Sequence, residues 1–356
     1  MPTAEEMLST AAVRSLAAVL GKAPKVKAVA RELDGVGFSD RGRLVRDALL
    51  ADLPADYPSF EKAIRQAMTD ARFTGWMIWP VTEAVAVRAV PDGFDQGLAL
   101  VADLTSRLTG EFALRSFLAA DLDRTLKTAL RWTDSPDEHV RRLASEGTRP
   151  RLPWARRVPA ILDDPQSTVP ILDALHLDPS PYVRRSVANH LNDISRGDPA
   201  LAVEVATRWL ATPDAAAVVR HALRTLVKAA DPGALALLGF PPPAALAVVG
   251  PTLGATELRV GDELPFEFTL RNDGGDEVRL AVDYVVHHRK ANGTLTPKVF
   301  KLTTRTLAAG ETVTISRRHS FRPITTRVYH TGEHALELQV NGRTFGRTSF
   351  RLQAQG

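Results

Sequence analysis

The stretch from Arg141 to Arg157 concentrates the chemistry of this chain. Its seventeen residues hold six arginines, one carboxylate (Glu146) and one tryptophan (Trp154). Guanidinium groups grip phosphates in a fixed fork geometry. An aromatic face supports a sugar or a base, and a carboxylate kept from water stabilises a developing cation. These are parts suited to work on a damaged nucleotide. The same stretch also reads as a surface cluster of Glu–Arg pairs.

Each candidate has a functional and an ordinary reading. Glu146 ends a helix just before Gly147, where the macrodipole disfavours negative charge. Arg142, Arg149 and Arg151 stand near enough in sequence to offset it; an ordinary Glu–Arg pair is the alternative. Trp154 lies between Pro153 and Ala155-Arg156-Arg157. Prolines 150 and 153 hold the segment extended, so the indole is expected to project from a rigid loop. The alternative is a core tryptophan, the role expected of Trp76, Trp79, Trp132 and Trp209. Glu111 opens a helix after Thr109-Gly110, which by itself is normal N-terminal chemistry.

A second stripe lies downstream. At about 100° per residue, Val183, Val187, Leu191 and Ile194 share one side of a helix over 180–195. Tyr182, Arg185, Ser186, Asn189 and Asp193 share another. That stripe would line the concave surface of a repeat array, or it is a solvated polar face.

The elements that must position these residues fall into two textures. Residues 1–238 carry apolar residues at spacings of three and four. They read as helices over 5–20, 41–53, 59–73, 75–89, 93–108, 111–131, 136–146, 155–163, 167–176, 180–195, 199–211 and 214–230. Val140-Arg141-Arg142-Leu143, Val183-Arg184-Arg185-Ser186 and Val218-Val219-Arg220-His221 recur at roughly 35 to 43 residues, the range of paired-helix HEAT units. Such units stack into a solenoid because none buries its faces alone. The proline triplet Pro241-Pro242-Pro243 ends the helical texture. We read 241–252 as a linker and 253–356 as a β-sandwich. Alternation of period two marks Leu264–Leu270, Val278–Val286, Thr312–Arg318 and His334–Val340, with turns at 272–275, 291–293, 309–311 and 341–342.

Bulk properties exclude several classes. With 44% hydrophobic and 24% charged residues the chain is an ordinary globular one. It has no cysteine, hence no disulfide and no thiolate metal site. No apolar run has the length of a membrane span, and Met1-Pro2-Thr3-Ala4-Glu5-Glu6 lacks a signal pattern, so a cytoplasmic location is expected. Residues 251–356 hold 15 Lys/Arg against 11 Asp/Glu, while residues 1–250 hold 30 of each. A neutral helical part is no bulk electrostatic binder of nucleic acid; it would need a local basic patch, and 141–157 is the candidate. Phosphate-loop, Rossmann, HExxH and Gly-x-Ser-x-Gly motifs are missing, and His287-His288 sits in a strand with its side chains on opposite faces. No cofactor and no metal are expected.

Together these pieces resemble the bacterial AlkC DNA glycosylases, the sister group of the AlkD glycosylases. The resemblance is carried by Thr109-Gly110-Glu111-Phe112-Ala113-Leu114-Arg115, by Trp132, by Val140 through Trp154, and by Ser180 through Asp193. It covers most of residues 1–240, and the β domain resembles the Ig-like extension of a subset of the family. It implies a HEAT-like repeat domain over 1–240 with a C-terminal Ig-like sandwich. It also implies a monofunctional glycosylase that cleaves cationic 3-methyladenine and 3-methylcytosine from double-stranded DNA without a base-flipping pocket. Asp193 matches the family's essential carboxylate and Trp154 its stacking tryptophan. Glu146 and Glu111 match its two further acids. Arg149 and Arg151 match its basic run; Arg142, Arg156, Arg157, Arg185 and Asn189 are the other expected DNA contacts. The Ig-like part is expected to touch phosphates through Lys298–Lys301 and Arg317–His319. The implied protein is a nucleoid-associated monomer with no obligate protein partner and no membrane contact.

The chemistry suits such residues. A base methylated at N3 is already cationic and leaves as a neutral molecule, so no general acid is needed. The sugar becomes an oxocarbenium ion, which a carboxylate stabilises while positioning water. An indole face adds cation–π stabilisation. Two other readings stay open here: a module that binds bent or damaged DNA without cutting it, and a protein–protein scaffold.

Overall fold

The structure is a computed structural model and describes residues 3–325 and 327–354. It divides into two compact units, Met1–Leu223 and Arg224–Gly356. The first is helical and the second is built mostly of strands.

The helical unit follows the apolar periodicity closely. Its three repeat motifs fall on helices Glu138–Gly147, Pro181–Ile194 and Ala216–Ala222, with Val140, Val183 and Val218 all buried. The first of these packs on the second, and the second on the third. Val183, Val187, Leu191 and Ile194 are buried as the face analysis requires. The expected helix over 111–131 is two, Glu111–Ala120 and Leu122–Trp132. Asp121 separates them: its backbone is extended, and its carboxylate accepts from the Arg124 N–H at 3.0 Å as an N-cap. Two short helices, Pro24–Val29 and Pro232–Leu237, fall outside the expected segments. Each opens on a proline at its first position, which the sequence reading took as a break rather than a start.

One close approach in this unit is testable. Gly42 lies in helix Phe38–Asp52, and a Cβ there would meet the Trp79 ring at 2.4 Å. Gly42→Ala must therefore displace a buried indole. We expect a stability loss of about 1–3 kcal/mol, read as a lower urea midpoint at unchanged slope.

The strands of the second unit are β1 (Leu246–Leu253), β2 (Glu257–Arg259), β3 (Glu263–Asn272), β4 (Val278–Arg289), β5 (Leu295–Leu307), β6 (Thr312–Ser320), β7 (Gly332–Val340) and β8 (Arg343–Gln353). They form a three-stranded sheet, β1-β3-β6, and a five-stranded sheet, β2-β8-β7-β4-β5. Inward residues Phe266, Phe268, Leu270, Val282, Val286, Leu336, Leu338 and Phe350 share one core. The β7–β8 hairpin turns on Asn341 (φ 44) and Gly342 (φ 83), the positive-φ pair that a two-residue turn requires.

Two expected boundaries differ from those observed. The expected linker over 241–252 contains most of β1, which pairs with β3 from Leu246↔Asn272 onward. Gly250-Pro251 interrupts the alternation at a register shift, and that concealed the strand. Helices Arg224–Lys228 and Pro232–Leu237, placed by the sequence in the helical part, belong to the strand-built unit. There Arg279 lies over the Phe240 ring at 4.5 Å, and Asn341 Nδ2 donates to the Pro241 carbonyl at 2.7 Å. Among the expected phosphate contacts, Lys298, Lys301, Arg317 and Arg318 are exposed. His319 is not: it is buried, and its Nδ1 sits 3.0 Å from the Tyr284 hydroxyl. Among the described residues no helix is long and apolar enough to cross a membrane.

Candidate active site

Three carboxylates from separate helices and two guanidiniums form one ion-paired set. Glu111 comes from the first position of helix Glu111–Ala120. Arg142 and Glu146 are one turn apart on helix Glu138–Gly147. Arg149 follows that helix, and Asp193 lies in the last turn of helix Pro181–Ile194. Arg142 Nη1 donates to Glu111 Oε2 at 2.7 Å and lies 3.3 Å from the Thr109 hydroxyl. Its Nη2 stands 3.6 Å from Glu146 Oε1. Arg149 Nη1 donates to that same oxygen at 2.6 Å, and its Nε to Asp193 Oδ2 at 2.8 Å. Ser186 Oγ donates to Glu146 Oε2 at 2.7 Å. The order of the chain of contacts is Glu111–Arg142–Glu146–Arg149–Asp193.

The three acids are not equivalent. Glu146 is engaged at both oxygens. Asp193 and Glu111 each use one, leaving Asp193 Oδ1 and Glu111 Oε1 without a hydrogen bond among the described residues. Burial raises the affinity of Asp193 for its proton against the opposing pull of Arg149. Burial likewise raises Glu111, opposed by Arg142. Three carboxylates against two guanidiniums leave the paired set with an excess of negative charge, which favours a cation beside it.

The packing behind the set is polar but satisfied. His190, fully buried, spans the Ser145 carbonyl (Nδ1, 2.9 Å) and the Thr168 hydroxyl (Nε2, 3.1 Å). Burial pushes it down to about 3, so it is a neutral strut at ordinary pH. The Arg142 guanidinium lies over the Tyr182 ring at 5.0 Å.

Trp154 projects from the loop after Arg149, 63% exposed, with φ at 61. Its ring meets the edge of Phe38 at 6.0 Å, and Phe38 stacks on Trp79 at 4.3 Å. Trp79 and Trp209 are buried, and Trp76 and Trp132 are partly buried against the core. The sequence separated Trp154 from the other four, and the structure keeps that separation.

The expected site residues fall into groups. Glu111, Glu146 and Asp193 are brought together, and Arg142 and Arg149 sit between them rather than facing outward. Arg151 is half-buried, while Arg156, Arg157 and Arg185 are exposed. The polar stripe on helix Pro181–Ile194 splits: Ser186 and Asp193 join the acid set, Tyr182 takes Arg142, and Asn189 Oδ1 lies 3.1 Å from His221 Nε2. Sequence reasoning gave no role to Thr109, His190 or Phe38. Nor did it single out Arg115, a fully buried arginine on the helix that Glu111 opens. Among the described residues no group of three or more His, Asp or Glu side chains is placed to hold a metal ion.

Comparison with known proteins places the whole chain. Residues 247–354 match the family model described as "Uncharacterised protein YhaZ, C-terminal Ig-like domain". Over 260 residues the chain is 38% identical to "Uncharacterized protein YhaZ" of Bacillus subtilis (strain 168), covering 73% of this chain and 72% of that protein. A solved structure of the Pseudomonas fluorescens alkylpurine DNA glycosylase AlkC, bound to DNA containing an abasic site analog, is similar over 99% of this chain and 100% of that one. Its TM-score is 0.83 and its identity 33%. Similarity of this extent spans the helical repeats and the Ig-like sheets alike, and the chain belongs to the AlkC family, among the members with a C-terminal Ig-like domain.

Proposed function

We propose that this protein is a monofunctional DNA glycosylase. It hydrolyses the N-glycosidic bond of cationic N3-alkylated bases, 3-methyladenine and 3-methylcytosine, in double-stranded DNA during base excision repair. Family membership supports the glycosylase class. The observation that carries the mechanism is the asymmetry of Asp193: Arg149 pins Oδ2, and Oδ1 has no hydrogen bond among the described residues.

The leaving base is already positive and departs neutral, so the demand falls on the sugar. Its anomeric carbon gains positive charge as the bond to the base breaks. Asp193 Oδ1 stabilises that charge and orients the attacking water, taking its proton as the new C–O bond forms. Glu146, tied at both oxygens, is the keystone that holds Arg142 and Arg149 in register. Trp154 offers an exposed indole face to the cationic sugar and needs no enclosing pocket for the base. Among the described residues no lysine belongs to this set, so an amine attack that would cleave the strand has no nucleophile here. Arg151, Arg156, Arg157 and Arg185 are assigned to DNA phosphates, with Lys298, Lys301, Arg317 and Arg318 on the Ig-like unit.

The deciding experiment is chromatographic identification of bases released from methylated DNA. Release of 3-methyladenine and 3-methylcytosine is expected. Salt-dependent binding with no base release over long incubation would overturn the assignment in favour of a non-catalytic module. Trp154→Ala should slow single-turnover release about fivefold to thirtyfold, the equivalent of about 1–2 kcal/mol of cation–π stabilisation. Its DNA affinity should change far less.

A further inference from the structure

We propose that Arg115 is the positioning residue of the Trp154 loop, a single guanidinium that ties the loop down at both ends and so aims the indole at the sugar. The inference rests on the glycosylase reading for the role of Trp154, and on geometry alone for the tie itself.

Trp154 is an exposed side chain, so few side-chain contacts fix its ring. Its orientation must come from the backbone, and that backbone is in the left-handed region at φ 61. A bulky residue holds such a conformation only where its surroundings over-determine it. Arg115 supplies that determination. Its Nη1 donates to the carbonyl of Gly147 at 3.0 Å and to that of Arg149 at 2.9 Å. Its Nε donates to the carbonyl of Arg156 at 3.1 Å. The first two acceptors precede Trp154 and the third follows it. Arg156 returns a bond, Nη2 to the Arg115 carbonyl, at 2.9 Å. Phe38 abuts the indole from the far side.

Arg115 is 1% exposed and forms no ion pair among the described residues, although Asp193 is near enough to act on its charge. Its Nη2 has no partner among the described residues. Burial, with Arg157, Arg156 and Arg149 nearby, pushes it down to about 10, so it stays charged at neutral pH. A buried cation without a paired carboxylate is costly to keep. A plain structural filler at this place would be apolar, as its neighbours Leu114, Phe117 and Leu118 are. What only a guanidinium provides is a rigid planar fork that reaches three carbonyls at once. Lysine carries the charge without that fork.

The test combines Arg115→Lys with Trp154→Ala. Arg115→Lys should slow single-turnover base release by up to the loss seen in Trp154→Ala, about thirtyfold at most, with DNA affinity within about threefold. The double variant should be no slower than Trp154→Ala alone, because Arg115 acts through Trp154. Trypsin should cut after Arg156 and Arg157 faster in Arg115→Lys than in the native protein, relative to other exposed arginines. Losses that multiply in the double variant would overturn the proposal, as would an unchanged tryptic rate at these two sites. Should Arg115→Lys fail to fold, Arg156→Ala removes the return bond; read as the single-turnover rate at saturating DNA, where its phosphate contact does not count, it carries the same non-additivity with Trp154→Ala. A native protein that released no base would sink the glycosylase reading while the tryptic comparison still judged the tie.

Discussion

Replacing Asp193 with asparagine should lower the single-turnover rate of base release by about a thousandfold, the upper range for removing one preorganised electrostatic group from a reacting centre. The substitution is nearly isosteric. It keeps an oxygen that can accept from Arg149 and removes the negative charge that faces the sugar cation. DNA affinity should persist, since the change takes an acid away from a phosphate-binding surface. Unimpaired release by this variant would remove Asp193 from the mechanism.

The same residue sets the pH dependence. The proposed mechanism requires the ionised carboxylate, and burial raises Asp193 above an ordinary aspartate. The rate should therefore climb with pH through the raised value and level off above it, with the midpoint higher than a solvated aspartate would give. In Asp193→Asn that limb should vanish. Glu111 is raised for the same reason, so a second, smaller inflection belongs to its loss of charge opposite Arg142.

How much of this was legible in the sequence depends on the kind of interaction. The helical texture, the strand alternation and the buried side of helix Pro181–Ile194 follow from periodicity, because burial of apolar residues obeys the repeat of the backbone. The candidate acids were legible as residue types in a resemblance. Their connection was not, because Glu111, Glu146 and Asp193 lie far apart in the chain, and no local rule says which arginine stands between which pair. Arg142 was expected near Glu146 from the i, i+4 spacing, and that contact is present at 3.6 Å, weaker than its cross-helix bond to Glu111. Arg115 was invisible for a different reason. It sits among buried apolar positions of an amphipathic helix, and its partners are backbone carbonyls, which carry no signature in side-chain identity. The misplaced start of the β domain shows the same limit, since Pro251 masks a strand that pairing with β3 stabilises.

Arg149 is where sequence and structure disagree most usefully, and its substitution carries the second large effect. The sequence reading expected it both to offset Glu146, as it does, and, as part of a basic run, to hold DNA phosphate. The structure instead buries its guanidinium between Glu146 and Asp193, at 2.6 and 2.8 Å. Arg149→Met should leave buried Asp193 without its paired cation and Glu146 with only the longer contact to Arg142, at a cost of about 3–5 kcal/mol of stability. The sign with pH follows from linkage. Without Arg149 the folded-state proton affinity of Asp193 rises further above its unfolded value, so its charged form opposes folding. The deficit relative to the native protein should be greatest at neutral and alkaline pH and shrink as acidification protonates the carboxylate. The acid limb of activity should move to higher pH. A phosphate-binding Arg149 would behave otherwise: urea stability would stay near native, and the dependence of DNA affinity on salt would lose about 0.9 of logarithmic slope, as expected for exposed Arg156 or Arg157. Urea titrations at two pH values and a salt series on the same variant separate the two roles. If stability holds and the salt slope falls, the carboxylate–guanidinium chain is not what keeps Asp193 in place.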